Sequence, residues 1–141
     1  MSKFKKGDIV EDGLSNRFVI LKSVKGDPTV IDVFNISGGY REHLYNWNFT
    51  LTKAKRAKFI TGRVDGYGAL ILKASGQTYI NVGCRVFQNI KEARKHWSNG
   101  PNGNHFDDPL DEDQRAFRHN ANITRLKQTE KLYAKFKEKT Q

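Results

Sequence analysis

Thr78-Tyr79-Ile80-Asn81-Val82-Gly83-Cys84-Arg85-Val86-Phe87-Gln88-Asn89-Ile90-Lys91-Glu92-Ala93-Arg94-Lys95-His96-Trp97 is the stretch where the chain changes its period. Thr78 to Val82 reads as a short strand, paired through the turn Ser75-Gly76-Gln77 with Ala69 to Lys73. Asn89 stands three residues before Glu92, the N-cap and N3 pairing that opens a helix. Ile90, Ala93 and Trp97 then fall at i, i+3 and i+7 on one helical face, and Ser98-Asn99-Gly100-Pro101 stops it. A run of strands followed by helical segments predicts an α+β fold.

Upstream, residues 8 to 52 hold no sustained helical period and read as short antiparallel strands: Asp8 to Val10, Arg17 to Val24, Thr29 to Asn35 and Asn48 to Thr52. Lys25-Gly26-Asp27-Pro28 has the composition of a tight hairpin connection between the second and third. In the third run both interleaved side-chain sets, Val30/Phe34 and Ile31/Val33, are apolar, which predicts cover on both faces. Lys53-Ala-Lys-Arg-Ala-Lys58 is the densest basic run and suits a linker or short helix before Phe59 to Arg63 and the turn Asp65-Gly66-Tyr67-Gly68. Lys6-Gly7-Asp8-Ile9-Val10 followed by Arg17-Phe18-Val19-Ile20-Leu21 resembles the opening of an SH3-like barrel of the KOW or Tudor kind. That resemblance covers roughly the first 50 residues and implies a barrel-like N-terminal part; such barrels bind nucleic acid, methylated tails or proteins, and the fold does not choose among them.

Downstream, residues 98 to 107 have loop composition, and Asp108-Pro109 suits an N-cap with Pro at the first helical position. Asp111, Glu112 and Asp113 in the first turn and Lys135, Lys137 and Lys139 in the last turns complement the dipole of a long terminal helix. Its apolar residues form two stripes, Leu110/Phe117/Ala121/Leu132 and Ala116/Ile123/Leu126/Tyr133, so the expectation is either two neighbours, the β body and another subunit, or a bend near Asn120 and Asn122. The chain divides as residues 1–52, an SH3-like β module; 53–100, a basic linker, hairpin and short helix sharing a core with the first; and 101–141, a loop and terminal helix.

The net charge is +10 over 141 residues, with 17 Lys/Arg against 8 Asp/Glu up to Gly100 and 8 against 7 beyond it. The excess belongs to the β-rich part, and a concentrated positive field attracts polyanions, nucleic acid first among them. Cys84 is the one cysteine, so no internal disulfide forms and no cysteine-based zinc spacing exists. No apolar run approaches the ~20 residues that span a bilayer, and Met1 to Lys6 leads into Gly7-Asp8 without a signal-peptide core. A cytoplasmic protein with no membrane partner is the expectation.

No phosphate-binding loop, dinucleotide fingerprint or nucleophile elbow occurs. His96, His105, Asp107 and Asp108 supply nuclease-type groups without metal-ligand spacing, so no catalytic residue, metal or cofactor is assigned. Tyr79 to Phe87 followed by Glu92-Ala93-Arg94-Lys95-His96-Trp97 is similar to a strand, Gly-Cys-Arg, aromatic, helix arrangement of small bacteriophage proteins. The similarity implies a phage origin and the host cytoplasm, and names no activity. The residues themselves favour a non-enzymatic nucleic-acid binder: Arg41, Lys53, Lys55, Arg56, Lys58 and Arg63 for phosphates, with Tyr40, Tyr45, Trp47 and Tyr67 for stacking on single strands or RNA. The alternative is a phage-encoded protein that binds and inhibits or redirects a host protein through the terminal helix.

Overall fold

A computed structural model describes residues 2–26, 28–45, 47–98 and 112–140. Among these residues, eleven strands and two helices follow one another as β1 (Ser2–Phe4), β2 (Ile9–Glu11), β3 (Arg17–Ile20), β4 (Val24–Lys25), β5 (Val30–Asn35), β6 (Tyr40–Tyr45), β7 (Thr50–Leu51), β8 (Lys58–Val64), β9 (Tyr67–Ala74), β10 (Gln77–Val82), β11 (Arg85–Phe87), α1 (Ile90–Ser98) and α2 (Glu112–Thr140). The class is α+β, with antiparallel sheets, a short helix and a long C-terminal one.

The first sheet has the order β6-β5-β3-β2-β7: a meander whose last strand returns beside its first. The second has the order β11-β10-β9-β8, and β1 and β4 form a small ribbon of their own. Arg17 to Val24 is thus two strands: β3 pairs with β5 through Ile20 and Val33, while Val24 of β4 pairs with Phe4 of β1. The segment from Lys25 to Pro28 therefore joins strands that are not partners, although its composition suggests a hairpin; Asp27 lies outside the described residues. The expected N-cap at Asp108 and the loop before it also lie outside them.

Side-chain alternation builds three apolar clusters. Ile9, Val19 and Phe34 face one way from the first sheet and meet Leu70, Leu72 and Tyr79 of the second. The Phe34 and Tyr79 rings lie 5.0 Å apart, and burial pushes the Tyr79 phenol pKa up. Val10, Phe18, Ile20, Ile31 and Val33 face the other way, onto Phe4 and Val24 of the ribbon, with Leu44, Trp47 and Phe49 packed around them. β5 is accordingly covered on both faces along Ile31 to Phe34. On the far face of the second sheet, Ala69, Ile71, Ile80 and Val82 meet Ala93 and Trp97 of α1 and Phe136 of α2. The continuous run Ala69-Leu70-Ile71-Leu72 is buried throughout because β9 lies between two cores.

The period change is local in origin. Glu92 N donates to Asn89 Oδ1 at 2.8 Å and Gln88 N to Glu92 Oε2 at 2.9 Å, so both carry orphan amides at the start of α1. Buried Asn81 donates to the Gly83 and Arg85 carbonyls and holds the β10–β11 turn. In α2 only the C-terminal half packs: Leu126, Leu132, Tyr133 and Phe136 reach the second sheet's cluster. Leu132 comes from one expected stripe, Leu126 and Tyr133 from the other and Phe136 from neither, whereas Phe117 is 75% exposed and Ile123 39%.

Candidate functional site

β8 is an edge strand of the second sheet, and α2 crosses the sheet face beside it. The approach is closest at Gly62, where a Cβ would stand 3.0 Å from Leu132 Cδ1. Missing one side chain there seats the helix against the strand and leaves a groove along the sheet edge. The groove has a volume of about 510 Å³ and is lined by Ile60, Thr61, Gly62 and Arg63 on one side and by Gln128, Lys131, Leu132, Lys135 and Lys139 on the other. A second recess of about 360 Å³ shares Lys139 and adds Lys6, Lys58 and Phe59.

Among the described residues six cations line these two hollows, and no carboxylate does. Among the described residues none of the six is ion-paired, in contrast to Arg17, Arg41, Arg56, Arg94 and Arg125, each held by an Asp or Glu within 3.8 Å. Lys6 Nζ stands 5.3 Å from the Phe59 ring centroid, and Arg63 Nη1 donates to the Gly66 carbonyl at 3.1 Å. Lys131, Lys135 and Lys139 follow one another at i, i+4 and i+8, rising about 6 Å per step along one side of the helix. Like charges held this way in a concave site raise the local potential, and a polyanion relieves it.

The residues expected from sequence fall in several places. Lys58 and Arg63 belong to the groove. Lys53 and Lys55 are exposed on an irregular segment that follows the start of β2, where Ala57 N donates to the Gly7 carbonyl at 2.7 Å; Arg56 pairs with Asp8 at 3.0 Å. Tyr40, Arg41 and Tyr45 lie on β6, the edge of the other sheet. Arg41 forks onto Asp32 at 2.9 and 3.3 Å, Tyr40 accepts a hydrogen bond from Asn35, and Tyr45 is 67% exposed. Trp47 is half-buried between Phe4 and Phe49, its indole donating to the Pro28 carbonyl at 2.8 Å, which makes it a packing residue. Tyr67 follows the β8–β9 turn, 52% exposed, with the Arg125 guanidinium 5.7 Å from its ring centroid.

Sequence reasoning passed over Lys6, which lies far from the basic run in sequence, and over Lys131, Lys135 and Lys139, whose alignment the near-neutral balance of residues 101–141 hid. The i, i+4, i+8 spacing was the signal that could have found the three helical lysines. The residues that carry the phage resemblance mostly pack: Phe87 and Trp97 meet at 5.2 Å and Ala93 is fully buried, while Cys84 and Arg85 are exposed on the turn. Among the described residues no three His, Cys, Asp or Glu side chains converge on a metal position, and no helix is long and apolar enough to cross a membrane. His105, Asp107 and Asp108 lie outside the described residues. Comparison with protein-family models, curated proteins and solved structures finds no match.

Proposed function

We propose that this chain is a non-enzymatic nucleic-acid-binding protein that takes a sugar–phosphate backbone in the groove between β8 and α2. The supporting observation is the set of six cations, Lys6, Lys58, Arg63, Lys131, Lys135 and Lys139, lining two hollows that share Lys139, with no carboxylate among the described residues that line them. The rise of about 6 Å between successive lysines of the helix is close to the phosphate-to-phosphate step of a nucleic-acid strand. Each phosphate neutralised releases condensed counterions, which is the main source of affinity for such a surface.

The test is the triple variant Lys131→Ala, Lys135→Ala, Lys139→Ala. All three side chains are exposed, so the core is untouched. Affinity for a fluorescent oligonucleotide, titrated across salt, should fall, and the slope of log K against log salt should flatten by about 2, since each single-strand phosphate contributes about 0.7. A matched variant of Lys53 and Lys55 should lose less. An unchanged slope in the triple variant removes the groove from the mechanism.

A further inference from the structure

We infer that the ligand of the groove is a single strand, and that the base beyond its Arg63 end stacks on Tyr67; this rests on the nucleic-acid function proposed above. The groove is a cleft with a strand for one wall, a helix for the other and a floor closed where Leu132 meets Gly62. A duplex is a stiff cylinder that receives helices and ribbons into its own grooves, and its convex surface does not enter such a cleft. The two hollows, of about 510 and 360 Å³, hold a few linked nucleotides. One row of lysines also matches one backbone.

Tyr67 stands across the β8–β9 turn from the groove, in a separate recess of about 200 Å³ that Gly83, Arg85, Trp97 and Arg125 also line. Val64 pairs with Tyr67 across the β8–β9 turn, which sets the ring on the helix-covered face of the sheet, against Gly83 of the β10–β11 turn. Both walls of the groove hold this turn: Arg63 donates to the Gly66 carbonyl, and Gln128 Oε1 accepts from Asp65 N. Asp65 in turn fixes Arg125 at 2.9 Å, which keeps its guanidinium against the Tyr67 ring while half of that ring stays open to solvent. A tyrosine backed by an arginine plane is a platform for an unpaired base, which a duplex does not present. A polyanion without bases can use the lysines and gains nothing from the ring.

The experiment compares the full-length protein with its Tyr67→Ala and Tyr67→Phe variants, binding short oligothymidylate, oligouridylate, a duplex of the same length and polyglutamate at one salt concentration. The single strands should bind the unmodified protein at least about tenfold more tightly than the duplex. Tyr67→Ala should weaken the single strands on the order of tenfold, Tyr67→Phe should not, and neither should alter duplex or polyglutamate binding. A duplex that binds as tightly as the single strands overturns the choice of ligand while leaving the groove proposal standing. Equal loss for every ligand in Tyr67→Ala, or no loss for any, overturns the stacking role. Polyglutamate binding as tightly as the oligonucleotides overturns both this inference and the function it rests on.

Discussion

Gly7 shows how one residue without a side chain sets the path of the chain. Its φ is +92°, and a Cβ there would stand 2.6 Å from both the Ala57 carbonyl oxygen and Arg56 Cγ. Its amide donates to the Ile20 carbonyl and its carbonyl accepts from Ala57, so the segment leading into β8 is tied to the start of β2. Gly7→Ala should therefore destabilise the protein by about 2 kcal/mol, from the left-handed backbone together with the displaced segment at Ala57. Urea unfolding checks this, and an unchanged midpoint contradicts it. At this scale the charged and aromatic residues were legible as types but not in their roles. Aromatic rings in strands are more often core than stacking residues, and Trp47 proves to be core when its indole meets the Pro28 carbonyl; Arg56 reads as part of a free basic run until Asp8, 48 residues earlier, pairs with it.

Among the elements, those decided by neighbouring residues could be read and those decided by distant partners could not. Asn89 and Glu92 cap α1 through bonds spanning three and four residues, so the pattern is self-contained. Asn89→Ala should cost about 1 kcal/mol, measured as a lower thermal midpoint, and an unaffected midpoint would mean the helix is held by Trp97 and Ala93 alone. The β9–β10 hairpin was legible for the same reason. β6 was not: Tyr40-Arg41-Glu42-His43-Leu44-Tyr45 has little apolar content, and it is a strand because its backbone pairs with β5 at the edge of the sheet. The splitting of Arg17 to Val24 into β3 and β4 depends on β1 taking one part and β5 the other, a choice the run of apolar residues does not contain. For α2, the sequence shows two apolar stripes on the helix, while the sheet accepts only the C-terminal half, where Gly62 lets Leu132 approach.

Across the whole molecule, the α+β class and the basic excess were both present in the sequence, but the site was not, because its walls are separated by more than sixty residues of chain. The ribbon, the two sheets and the helices stack in layers that share three cores, and the groove opens where the second sheet ends and the last helix begins to overhang it. Charge is also sorted: among the described residues several arginines are held by carboxylates, while the lysines along the groove are not. The central claim is the location of binding, and the most direct measurement of it is amide chemical-shift mapping of the isotope-labelled protein during titration with a short single-stranded oligonucleotide. The account predicts that the largest shifts lie on Lys58 to Tyr67 and Gln128 to Lys139. Shifts concentrated instead on β6 and on Lys53 to Arg56, with β8 and α2 unmoved, would contradict it.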